Sequence, residues 1–292
     1  MRKIRTNLLN PLGPDRTEFL RDHVIIWDDG MITGVRPFDP AQDGDCEDFR
    51  ELLAVPGFID IHVHLSQHRI RGLYEPSLLS WLEKHVYPAE ALSRDEDYAH
   101  VIADDFFQAL FANGTTTSVI YTAPFEKACE IAFESAARLG ARAMIGMTMM
   151  DQNSPPELAQ STVDSFEQSV RLYEKYQDSS PLLSYIFTPR FAISCSASLL
   201  EKVGTFAREN SAWIQTHLSE NKDEVIQVVE DFGAQSYTQV YERAGLLTPR
   251  TILAHAIHLS EVEMDIIRDS GCRIAHCPDS NFFLKSGEFN YP

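Results

Sequence analysis

The chain has 292 residues, 44% of them hydrophobic and 17 of them Phe, enough for one barrel-sized domain with an appendage and too apolar for disorder. Its 25 Lys and Arg against 43 Asp and Glu give a formal charge of −18. So acidic a surface excludes nucleic acid and anionic membranes, which need a cationic footprint, and suits a small neutral substrate.

In chain order, the N-terminus Met1-Arg-Lys-Ile-Arg-Thr-Asn is basic, but no unbroken apolar run follows it, and no stretch anywhere approaches a membrane span. A cytoplasmic protein is expected. Residues 1–55 read as a small β layer. Asp29-Gly30 between two β-favouring runs marks a hairpin, and Asp39 to Glu51 reads as an acidic loop. From Leu53 onward, apolar runs alternate with amphipathic stretches. The spacing predicts strands at Phe58–Leu65, Thr116–Thr122, Arg142–Met149, Leu182–Phe187, Ala212–Leu218, Thr251–Ile257 and Cys272–His276. It predicts helices at Asp97–Ala112, Phe125–Leu139, Val163–Tyr176, Ala197–Glu209 and Glu261–Asp269. Seven strands separated by helices argue for a parallel α/β sheet, either open or closed into an eight-stranded barrel.

The five cysteines, Cys46, Cys129, Cys195, Cys272 and Cys277, are odd in number and form no C-x-x-C. They suggest reduced thiols, not a disulfide framework or a thiolate zinc site. Histidine carries the stronger signal. In Pro56-Gly-Phe-Ile-Asp-Ile-His62-Val-His64 the two imidazoles are two apart on a strand, so both project from one side and can bind one metal ion. Two ordinary strand histidines would explain that motif alone. His217 and His255, however, recur at the ends of later strands, and a parallel barrel gathers its strand C-termini at one face. Glu220, three residues past His217, stands where a carboxylate can shuttle a proton without ligating the metal. No G-x-G-x-x-G, P-loop, H-E-x-x-H or cytidine-deaminase pattern occurs.

The blocks Pro56–Gln67, Trp81-Leu-Glu-Lys-His-Val-Tyr-Pro-Ala-Glu90, Asn113-Gly-Thr-Thr-Thr117, Thr188-Pro-Arg-Phe-Ala-Ile-Ser-Cys195, Gln215-Thr-His-Leu-Ser-Glu-Asn221 and Ala275-His-Cys-Pro-Asp-Ser-Asn281 resemble the amidohydrolase superfamily, and within it the guanine deaminases. The blocks around Arg190 and His217 are the ones most particular to that branch. The resemblance implies a (β/α)8 TIM-type barrel over residues 56–292, with seven of its eight strands present. Residues 1–55 would then form part of a composite β-sandwich. It implies His62, His64 and His217 as ligands of one divalent ion, expected to be zinc although iron(II) accepts the same ligands. It implies Glu220 as general acid/base, His255 beside the activated water, and Gln67, Arg190 and Phe191 around a purine. The implied reaction is hydrolytic deamination of guanine to xanthine and ammonia by a homodimer.

Two departures qualify the resemblance. Ala256 stands where a glycine commonly follows the histidine of strand six. The family's last ligand, an aspartate at the end of strand eight, is expected beyond Pro292, because the sequence stops in the connection after strand seven. Three other readings stay open. They are an aminohydrolase for another amine (a pterin, adenosylhomocysteine, cytosine or a triazine), a truncated inactive remnant, and a barrel that works as a non-catalytic scaffold.

Overall fold

The computed structural model describes Met1–Asn290 and divides into two compact units, Met1–Phe58 and Ile59 onward. The first unit is one sheet in the order β3-β2-β1-β4, from β1 (Arg2–Gly13), β2 (Arg16–Asp28), β3 (Met31–Pro37) and β4 (Glu47–Ala54). β1, β2 and β3 pair antiparallel in succession, whereas β4 lies parallel to β1. Asp29 and Gly30 both take positive φ, 46° and 75°, the backbone that a tight turn between right-twisted strands demands. The segment read as a loop is ordered instead. Asp39 caps a short helix α1 (Pro40–Asp43) by accepting from Ala41 N, and β4 follows at once. Pairing with β1 overrides the weak strand propensity of Glu47–Arg50. Asp43 is buried and takes two bonds, 2.6 and 2.8 Å, from Arg36. Those bonds hold its carboxyl down at about 2.

The second unit alternates parallel strands with helices: β5 (Phe58–His64), β6 (Thr115–Thr122), β7 (Arg142–Met149), β8 (Leu183–Tyr185), β9 (Thr188–Pro189), β10 (Ile214–Leu218), β11 (Thr251–His255) and β12 (Arg273–Ala275). β8 and β9 both pair with β7 and together fill the place of one predicted strand. A bridge from Phe187 to Ile214 carries the order on to β10-β11-β12. Seven strand positions thus follow one another in chain order, a curled parallel sheet of the TIM-barrel kind. Gly146 in β7 permits the close approach of the β8–β9 segment, because a Cβ there would run into Thr188 Oγ1 and the Ile186 carbonyl.

The helices are α2 (Leu78–Trp81), α3 (Tyr87–Leu92), α4 (Glu96–Ala112), α5 (Glu126–Leu139), α6 (Thr162–Tyr176), α7 (Ala197–Asn210), α8 (Lys222–Phe232), α9 (Tyr237–Arg243), α10 (Glu261–Ser270) and α11 (Pro278–Phe283). Their ends follow the side chains. Asn221 and Ser260 open α8 and α10 with capping boxes closed by Glu224 and Glu263, and Gly233 and Gly271 end them at positive φ. Between α2 and α3 runs a π-helical stretch, Leu82–Val86. Pro88 has no N–H to offer the carbonyl of Lys84, so the i→i−4 ladder breaks there and widens. Helix α4 buries Ile102, Phe106 and Phe107, and α5 buries Ile131 and Phe133, in one core with the sheet. Among the described residues no helix is long and apolar enough to cross a membrane.

Candidate active site

Because every strand of the second unit runs parallel, the strand C-termini share one rim, and there the chemistry collects. Asp60, His62 and His64 alternate along β5 and line one cavity of about 410 Å³. His217 lies one residue before the end of β10, Glu220 two residues beyond it, and His255 is the last residue of β11. Gln67 comes from the 3₁₀ turn Leu65–Ile70, Arg190 and Phe191 from the segment after β9. All eight residues singled out from the sequence, the four histidines, Glu220, Gln67, Arg190 and Phe191, line this cavity.

Two of the imidazoles, those of His217 and His255, are oriented by bonds on their far nitrogens. The Arg190 carbonyl can only accept, so His217 donates to it from Nδ1 at 2.7 Å and keeps a bare lone pair on Nε2. That Nε2 lies 3.1 Å from Nε2 of His64, whose ring stacks on Tyr121 at 4.4 Å between centroids. Asn281 Oδ1 sits 2.8 Å from Nδ1 of His255 and turns its Nε2 toward Glu220 Oε2, 3.6 Å away. Burial, and then the charge of neighbouring His217, pushes His62 and His64 well below the ordinary imidazole range; burial first does the same to His217. Neutral rings with free nitrogens are what a metal ion requires.

The donor set fits a cation. One ligand atom from each of His62, His64 and His217 lies within 4.8 Å of the others. Tetrahedral zinc at about 2.1 Å from each nitrogen would set them about 3.4 Å apart, close to the His64–His217 spacing. His64 Nδ1 is buried without a hydrogen-bond partner, consistent with a ring placed for ligation and not for a polar network. His62, His255 and Cys277 also bring ligand atoms within 4.8 Å, although burial raises the Cys277 thiol to about 12.

Glu220 is 5% exposed; burial raises its carboxyl to about 8 while the Arg190 charge pulls the other way. A solvated glutamate at a helix N-terminus would show neither. Arg190 is an ion-pair partner, but a buried one and not a surface one. Its Nη1 gives bonds of 2.9 and 2.7 Å to the two oxygens of Glu90, and Tyr87 lies under its Cζ at 5.4 Å.

Sequence reasoning had not assigned roles to Asp60, Glu90, Tyr121 or Asn281. Asp60 shares the alternation that exposed His62 and His64. Glu90 and Asn281 close two of the blocks that carried the resemblance. Tyr121 gave no signal, since an aromatic at the end of a buried strand is ordinary core.

Residues 53–291 match the amidohydrolase family. The guanine deaminase of Escherichia coli (strain K12) is 37% identical over 245 residues, 83% of this chain and 56% of that protein. The guanine deaminase of Mus musculus is 34% identical over 289 residues, 94% of this chain and 63% of that protein. The chain therefore spans a little over half the length of these relatives. Among solved structures, guanine deaminase from E. coli superposes with a TM-score of 0.94 at 31% identity, over 99% of this chain and 70% of that one. Guanine deaminase from C. acetobutylicum with guanine bound in its active site superposes with a TM-score of 0.93 at 32% identity, over 98% and 70%.

Proposed function

The chain belongs to the amidohydrolase family, and from that premise we propose that it deaminates guanine hydrolytically, to xanthine and ammonia. The carrying observation is the convergence of three neutral histidines, a buried carboxyl and a buried guanidinium on one cavity. The guanine deaminases among its relatives support the choice of substrate.

In this reading His62, His64 and His217 hold one divalent ion, zinc by the nitrogen donor set and spacing. What such an ion supplies when bound is acidification of a water molecule, hence a nucleophile at neutral pH. Glu220, whose raised carboxyl a bound cation would draw back toward the ionised form, would take a proton from the attacking water and return it to the ring nitrogen as oxygen adds to the amine-bearing carbon. A second proton reaches the amino group, the C–N bond breaks and ammonia leaves. His255, held by Asn281, orients the water and steadies the charge that develops. Arg190 and Gln67 hold the ring carbonyl and nitrogens, with Phe191 against the ring. The same reading takes the protein as a cytoplasmic homodimer, with residues 1–55 as a small β layer of a composite sandwich and residues 56–292 as the barrel.

The test is ammonia release by the zinc-loaded protein from guanine, adenine, cytosine, adenosylhomocysteine and a pterin. Guanine is expected to be turned over well ahead of the others. Indifference to guanine with turnover of another amine overturns the substrate.

A further inference from the structure

Arg190 and Glu90 are almost fully buried, their side chains 3% and 0% exposed. Two charges so placed are costly to desolvate, and a merely structural position is served as well by apolar residues. The pair also stands at the site: the guanidinium lines the cavity, and the Arg190 carbonyl holds His217. Glu90 uses only Nη1 of the fork. A guanidinium carries five N–H donors in a fixed plane, so fixing one nitrogen fixes the direction of the rest. Tyr87, three residues earlier on α3 and therefore on the same face, supports the guanidinium from below.

We propose that Glu90 is a positioning residue with two effects, resting on the reading of Arg190 as a ligand for the ring carbonyl. It aims the guanidinium, and it cancels the positive charge so that the cavity favours an uncharged ring over an anionic one. Guanine is uncharged near neutrality, whereas the more acidic product xanthine loses a proton more readily. A balanced pair accepts the first and gives the anion of the second no net charge to hold. Discrimination of this kind aids product release as well as substrate choice.

The experiment compares wild type, Glu90→Gln and Glu90→Asp, all zinc-loaded, by guanine kinetics, metal content and calorimetric binding of the xanthine monoanion. In Glu90→Gln, KM for guanine is expected to rise roughly ten- to a hundredfold with kcat nearly unchanged, the effect of disordering a charged hydrogen-bond donor. The xanthine monoanion is expected to bind more tightly, by at least about tenfold, since the guanidinium then stands uncompensated. Glu90→Asp keeps the charge but shortens the reach, so KM rises while anion binding stays as in wild type. A purely structural role would lower stability without a split between KM and kcat and without tighter anion binding, and that result overturns the proposal. If Glu90→Gln does not fold, an unchanged KM in Glu90→Asp overturns it equally. Failure of the wild type to deaminate guanine overturns the functional reading alone, because the anion measurement needs no turnover.

Discussion

Glu220 Oε2 and His255 Nε2 face each other across 3.6 Å, with Asn281 fixed behind the imidazole. A carboxyl and a ring so opposed can share one water between them, and neither is bound to the set His62, His64 and His217. Glu220→Gln is therefore expected to lower turnover by a factor on the order of 10²–10⁴ and to leave metal content unchanged. Ammonia release and metal analysis on the same preparation check it. A non-catalytic scaffold would show no functional change.

Arg190 acts through both of its ends. Its carbonyl belongs to the main chain, so Arg190→Ala keeps the bond that sets the His217 tautomer while removing the guanidinium. Guanine turnover is expected to fall far more than metal content. The same change leaves Glu90 buried and alone, so stability drops by about 3–5 kcal/mol. Thermal unfolding followed beside metal analysis separates the two effects.

Ala256 has φ of 49° and follows His255 at 68°, two consecutive residues in the left-handed region. The Ala256 N–H reaches the Ala254 carbonyl at 3.0 Å, closing a γ-turn centred on His255. A glycine enters that region without the Cβ clash. Ala256→Gly is expected to stabilise the protein by roughly 0.5–1 kcal/mol, raising Tm by about 1–4 °C. A lower Tm would show that the methyl's packing outweighs the strain.

The ion pair between Asp43 and Arg36 gives the first unit an acid limit. Asp43 titrates at about 2 in the fold against the higher 3.8 of an ordinary aspartate. A depressed carboxyl stabilises the fold fully above the unfolded value and loses that contribution as pH falls through the folded one. The stability of wild type over Asp43→Asn is thus expected to hold above pH 4 and to vanish toward pH 2. Denaturant titrations read by Trp27 in β2 measure it, and a pH-independent difference would refute it.

A chelator is expected to lower Tm, and added zinc to restore it. At a hundred times Kd the gain is about 2.7 kcal/mol, if the unfolded chain does not bind the ion. His217→Ala should abolish the restoration. A Tm indifferent to both treatments would remove the metal from the site.

Much of this architecture was readable from alternation. The strand Arg142–Met149 has the bounds its apolar run predicts, and Asp29-Gly30 turns where the dipeptide says. The helices α8 and α9 were missed, although Asn221 with Glu224 writes a capping box into the sequence; α9, at seven residues, is too short to show a helical period. β4 was missed because its partner, β1, lies some forty residues away in sequence. The histidines were legible as a set, since strand ends converge in a parallel sheet. Glu90 was not, since contact between residues 90 and 190 depends on packing that no local pattern records.

The widened turn at Leu82–Val86 also sets the phase of a recognition element. In an uninterrupted α-helix Glu90 would lie about 120° around the axis from Leu78, twelve residues back at about 100° each. One extra residue absorbed by the π stretch reduces the offset to about 20°. Leu78 can then line the cavity while Glu90 meets Arg190. Loss of a single residue between Leu82 and Val86 would return the stretch to plain α-helix and leave Glu90 at the same offset, about 20° over eleven residues, whereas gain of one would swing the carboxylate off its arginine. These five residues should accordingly accept the removal of one residue and not the addition of one, although none of them brings a polar group to the cavity.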